Sequence, residues 1–118
     1  MKHAIRHAAA ALAAAIVSAC GSIDGGPLIR PGEPTGVLEV ANGSSRTFSA
    51  ILISDCDNFT YGFNRLPDGV RVPPGSSYRF RVSAGCWDVD AGLAYQEARF
   101  RTQVYPGRLT RHVVVDPD

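Results

Sequence analysis

The sequence predicts an all-β protein, a small antiparallel sandwich of about seven strands that follows a cleaved export signal and a Gly/Pro-rich tether. Three observations predict it. From Gly36 onward apolar and polar residues alternate in short runs, which is the period of a half-buried strand. Turn signals separate these runs about every 8 to 12 residues, the spacing of a sandwich or small barrel. No stretch after the leader keeps a helical period. With 118 residues, 45% hydrophobic and 19% charged, and with 12 Gly and 8 Pro, the chain has the composition of one globular domain rich in turns. A collagen, a coiled coil and a polytopic membrane protein are excluded. Twelve basic residues against eleven acidic ones give a net charge of +1, and no basic tail or acidic block is present. Nothing in that balance calls for nucleic acid.

Residues 1–19 read as an export signal. Lys2 and Arg6 supply the positive start, and Ala8 to Val17 is an unbroken apolar run of ten residues. As a helix that run would span about 15 Å, half of a hydrocarbon core of about 30 Å, so it suits removal better than membrane crossing. The run Val17-Ser18-Ala19-Cys20 that follows resembles the bacterial lipobox. The resemblance implies cleavage before Cys20, acylation of its sulfur and acylation of the new amino terminus. Two or more acyl chains anchor stably where one does not. Gly21 stands where Asp would favour inner-membrane retention in the Gram-negative lipoproteins that this segment is similar to, so the implied address is the periplasmic face of the outer membrane. Once Lys2 and Arg6 are gone, ten arginines face eleven acidic residues. That weakly acidic body predicts no polybasic second signal, which leaves the lipid to do the anchoring.

Residues 20–35 form the lipidated Cys and a tether, because Gly25, Gly26, Pro27, Pro31, Gly32 and Pro34 leave no room for a helix or a ladder. The domain occupies residues 36–118. Its strands are predicted at Val37–Val40, Thr47–Ser54, Val70–Val72, Tyr78–Val82, Trp87–Ala91, Glu97–Val104 and Thr110–Val115. Asn42-Gly43-Ser44-Ser45, Leu66-Pro67-Asp68-Gly69, Pro73-Pro74-Gly75 and Pro106-Gly107 supply turns between them.

Alternation also assigns faces. Phe80, Val82, Trp87, Val89 and Phe100 share the inner one and form the expected core. On the other face a meander would pair Arg81 with Asp88, Arg79 with Asp90, Asp90 with Arg99 and Asp88 with Arg101. Each such pair contributes about 0.2 to 1 kcal/mol, so the row sets register more than stability.

Three cysteines in an exported chain leave one over. Lipidation of Cys20 accounts for it and leaves Cys56 and Cys86 to form a disulfide, which an oxidising compartment permits. Closing a loop of 30 positions is worth about 3 to 4 kcal/mol in the chain-entropy treatment.

The search for chemistry finds little. His112 is the one imidazole left after the leader, and it sits in the last strand between Arg111 and Val113. No G-x-S-x-G elbow, P-loop, dinucleotide fingerprint or zinc spacing occurs, so no catalytic residue, metal or cofactor is expected. Asp55, Asp57 and Asp88 would gather near the disulfide, where a calcium ion takes several oxygens, yet the register commits Asp88 to arginine and the other two suit a turn. Phe59, Tyr61, Phe63 and Arg65 place three aromatics and a guanidinium in one loop. They form either a contact surface or a cap folded back over the sandwich. Asn42-Gly43-Ser44 and Asn58-Phe59-Thr60 match the eukaryotic glycosylation triplet, which a bacterial leader discounts.

Four segments, Asn42-Gly43-Ser44-Ser45, Tyr61-Gly62-Phe63-Asn64-Arg65-Leu66, Pro74-Gly75-Ser76 and Gly85-Cys86-Trp87-Asp88, make residues 38–90 similar to the small β-domains of bacterial secreted proteins and lipoproteins. That resemblance implies a sandwich and carries over no catalytic residue. The functional expectation is a membrane-anchored periplasmic lipoprotein with a structural or protein-interaction role and no turnover. The alternative is a binding module for a peptide, a glycan or a small ligand, including an inhibitor of an envelope enzyme.

Overall fold

A computed structural model describes residues 26–58, 62–93 and 96–117, the side chains at 93, 96 and 97 excepted. The leader, Cys20, Phe59 and Tyr61 lie outside the described residues. Six strands follow one another: β1 (Thr35–Gly43), β2 (Ala50–Asp55), β3 (Ser77–Ser83), β4 (Gly85–Leu93), β5 (Gln96–Val104) and β6 (Leu109–Val115). They form two three-stranded sheets, ordered β3-β1-β6 and β2-β4-β5, so the all-β class holds.

The strand count differs from the seven expected at Val70–Val72. Pro73 and Pro74 cannot extend a ladder there, and Val72 makes only an isolated bridge, in which it and Phe48 exchange N–H···O bonds of 2.9 Å. One pairing is also not antiparallel. β6 lies parallel to β1, with Glu39 opposite Arg111 and Val40 opposite His112. The cause is the crossing between β5 and β6. Residues 105–108 turn from one sheet into the other, and Gly36 lets that turn settle against β1, since a Cβ there would collide with the Tyr105 and Arg108 carbonyls and with Val104.

The meander is half right. β4 and β5 pair as expected, with Asp88 opposite Arg101 and Asp90 opposite Arg99. β3 and β4 do not pair, so Arg79 does not meet Asp90 and Arg81 does not meet Asp88. Ala84 alone joins these strands, too few residues for a hairpin, and the chain turns a corner between sheets instead. The Trp87 indole N–H holds that corner by donating to the Ser83 carbonyl at 2.8 Å. β3 pairs with β1, which places Arg79 opposite Glu39 and Arg81 opposite Val37.

Between the sheets lies one core. Leu38, Val40, Ile51, Ile53, Val82, Trp87, Val89 and Val104 are fully buried and Phe80 nearly so. Phe100 is half-buried and packs against the edge of this core. The Gly/Pro-rich stretch from residue 26 forms no strand, yet it lies against the domain through single bonds. Ser83 N–H donates to Leu28 O, Ala84 N–H to Pro34 O, and Arg30 N–H to Ser83 Oγ.

Candidate functional site

The disulfide joins Cys56, just beyond β2, to Cys86 at the start of β4, with Cα atoms 5.5 Å apart. It ties the two ends of a 30-position loop at the pole of the sandwich where β1 begins. The carboxylates around it do not converge. Asp55 accepts a 2.8 Å bond from the Arg30 guanidinium and also caps Asp57 N–H, while Asp88 takes two bonds from Arg101. Among the described residues no group of three or more His, Cys, Asp or Glu is arranged to hold a metal ion.

His112 stacks face to face on Phe100, with ring centroids 3.7 Å apart and planes 9° from parallel. The pair closes the side of the core where β5 and β6 lie in different sheets. Burial holds the imidazole below its ordinary value of 6.5. Asn42 is fully buried, where His112 is half-buried. Its amide donates to the Arg46 and Val72 carbonyls and accepts from Ser44 N–H and Oγ, so it orders the loop after β1.

The aromatic loop separates into two roles. Phe63 is 67% exposed. Arg65 points the other way, with its guanidinium donating to Ile53 O and Gly26 O while its own N–H bonds Ile51 O. Asn64 adds a carbonyl that accepts from Ile51 N–H. Together these residues cover the outer edge of β2, an edge that would otherwise be open to pairing with another strand. Of the two roles the sequence leaves open for this loop, contact surface or cap, Arg65 takes the second, and nothing local distinguishes an edge-covering arginine from a solvated one.

The two outer faces of the sandwich differ in charge. On β2-β4-β5, Asp88 pairs with Arg101 at 2.8 Å and Asp90 with Arg99 at 3.3 Å, so the described charges balance. On β3-β1-β6, Glu39 is only 6% exposed and sits between Arg79 (2.7 Å) and Arg111 (2.8 Å). The hydrogen bond from Arg79 is the main reason that its carboxyl lies below the ordinary range, with the charges of Arg79 and Arg111 and a bond from Ser77 adding to it against the opposing effect of burial. Two further arginines, Arg81 and Arg108, have no carboxylate within ion-pair reach among the described residues. Arg81 meets only Thr35 Oγ1, at 3.3 Å.

Large apolar groups gather on the same face. Leu109, Val113 and Val115 alternate along β6 at 49%, 47% and 65% exposure, and β6 has β1 as its one ladder partner among the described residues. Val37, Arg79, Arg81, Gly107, Arg108 and Leu109 line a shallow hollow of about 480 Å³. A second hollow, about 510 Å³, opens at the opposite pole between the loop after β1 and the end of β6. There Ser45 N–H donates to the Asp116 carboxylate and Ser44 Oγ to the Arg46 carbonyl. The face of β3-β1-β6 is therefore the candidate site, a basic and apolar surface beside an edge with no second ladder partner among the described residues. Leu109, Arg111, Val113 and Val115 alternate along β6 and so share one side, opposite Val37, Glu39, Ala41 and Gly43. What alternation lacked was the neighbour, since the pairing of the first strand with the last is invisible to local pattern. No family model, curated protein or solved structure matches the chain.

Proposed function

We propose that the chain is a membrane-anchored lipoprotein of the cell envelope with an interaction role and no turnover, held at the periplasmic face of the outer membrane by acylated Cys20. The observation that carries the interaction role is the uneven surface: four arginines against one glutamate, with Leu109, Val113 and Val115 among them, on one face of a sandwich whose other described face is neutral. Arginine and large apolar groups together are the composition of a contact surface. The Cys56–Cys86 bond supports an oxidising compartment and leaves Cys20 as the odd thiol. Non-catalytic use is supported by the neighbours of the titratable groups. Asp55, Asp88, Asp90 and Glu39 each hold an arginine, and the His112 ring is stacked on Phe100.

Mass spectrometry of envelope membranes tests the anchor. It should find Cys20 amino-terminal and acylated, and Cys20→Ala should release the protein from the membrane or leave it unprocessed. An unmodified Cys20 in a soluble fraction refutes the reading. A second reading, a module that binds an extended peptide, is favoured by the edge of β6, which has no second ladder partner among the described residues. Crosslinking from β6 in intact envelopes separates the two by whether a peptide or ligand adduct forms at that edge.

A further inference from the structure

The anchor sets a short leash. Six steps of chain separate Cys20 from Gly26, a reach of at most about 20 Å. At Gly26 the chain is already bound to the domain through Arg65, and at Arg30 it is bound to both Ser83 of β3 and Asp55 of β2. The point of departure is therefore the seam between the β2 and β3 edges. From that seam three surfaces lie within reach of the bilayer: the two outer faces and the pole that carries the disulfide. Their surface chemistry decides among them.

The pole carries Glu33, Asp55 and Asp57 against Arg30, with exposed Ile29 and Tyr105 beside them and Arg108 at its rim toward the β3-β1-β6 face. The β2-β4-β5 face is neutral among its described side chains, and each charge there has a partner. The β3-β1-β6 face carries Arg79, Arg81, Arg108 and Arg111 against Glu39, and it alone alternates these with exposed Leu109, Val113 and Val115. Anionic phosphates attract guanidinium groups, which can form paired hydrogen bonds to phosphate oxygens, while aliphatic side chains enter the headgroup boundary. We infer that the outer face of β3-β1-β6 lies on the phospholipid surface to which Cys20 is anchored, with its arginines on lipid phosphates and Leu109 and Val113 at the headgroup boundary. This inference rests on the lipoprotein reading. It also revises the expectation that the body supplies no second electrostatic signal. The whole-chain charge is near zero, but the arginines are segregated onto one face.

The test uses the full chain isolated from membranes and reconstituted into vesicles of phosphatidylcholine, with or without phosphatidylglycerol. An environment-sensitive dye is placed on Leu109→Cys, and on Gln103→Cys of the β2-β4-β5 face as the control. A mass of the Cys20 peptide is taken from the same preparation. With Cys20 acylated, the dye at 109 should shift to the blue and be quenched by lipid-borne quenchers when phosphatidylglycerol is present, and the dye at 103 should not. Arginine near an anionic surface is worth about a fivefold change in association, so Arg81→Gln with Arg108→Gln should lower the docked-to-free ratio about 25-fold, and raised salt should act in the same direction. Neither arginine pairs with Glu39, so the fold tolerates the change; a circular dichroism melt checks it. Equal signals at 109 and 103 with Cys20 acylated overturn the docking and leave the anchor standing. Shielding at 109 that needs no anionic lipid and grows with protein density points to a second copy and also overturns it. An unacylated Cys20 overturns the anchor and the docking together.

Discussion

The two outer faces are built on one core from similar strands, yet only one of them is closed. On β2-β4-β5 the described charges are paired, and Asn64 and Arg65 cover the edge of β2. On β3-β1-β6 one nearly buried glutamate serves two arginines, two more arginines have no carboxylate partner among the described residues, and three large aliphatic side chains face outward on a strand, β6, that has one ladder partner among the described residues. A net charge of +1 conceals this difference. What matters for association is where the charge sits, and a sandwich sorts charge by the parity of residue number and by which strands become neighbours.

The comparison can be broken or sharpened by substitution, beginning with what both faces share. Trp87 is fully buried between the sheets and holds the β3–β4 corner, so Trp87→Ala should cost about 3 to 5 kcal/mol in denaturant or thermal unfolding and loosen both faces alike. Loss of only one sheet's protection in hydrogen exchange would show that the faces do not share a core. Cys86→Ser should cost about 2 to 4 kcal/mol through the unlinked 30-position loop, an effect that reducing agent reproduces in the unaltered chain. No drop in melting temperature on reduction would remove the disulfide from the account.

Next in size is the difference between two arginines. Arg65→Ala strips the donors from Ile53 O and Gly26 O and should cost about 1.5 to 3 kcal/mol, whereas Arg81→Ala on the open face should stay within about 0.5 kcal/mol. Equal losses would erase the distinction between a covered edge and an open face. Smaller still are the pH effects. His112 has a folded value lowered by burial, so its contribution is complete above 6.5 and declines as pH falls from there through the folded value. His112→Phe should keep the stack on Phe100 and flatten that part of the stability profile. Glu39 is also lowered, chiefly by Arg79, so its contribution is present above the ordinary carboxylate value of 4.5 and is lost as pH falls through the folded one. Glu39→Gln should lower stability at neutral pH, where that contribution is present, and remove Glu39's share of the acid-side slope. Melting temperatures measured across pH check both.

Much of this fold is legible in the chain because its signals are local. Alternation placed Phe80, Val82, Trp87 and Val89 inside, and it paired Asp88 with Arg101 and Asp90 with Arg99 because β4 and β5 are consecutive antiparallel strands. Cysteine parity led to Cys56 and Cys86. The same alternation failed between β3 and β4, since the parity of a strand is silent about its partner and a one-residue link sends the chain to the other sheet. The candidate face depends on β1 meeting both β3 and β6, contacts that join residues roughly 40 and 70 positions apart. No local pattern carries such a pairing. Arg65 was illegible for a related reason, because its partners Ile53 O and Gly26 O are backbone atoms brought near by the fold.

The central claim is that one face of this sandwich is made for contact and the other is not. Thiol-modification rates at Leu109→Cys and Gln103→Cys, measured in intact envelopes and again after detergent extraction, test it without presuming what the contact is. The account predicts that residue 109 reacts more slowly in envelopes and regains its rate on extraction, while residue 103 reacts alike in both. Equal rates at residue 109 before and after extraction would contradict it.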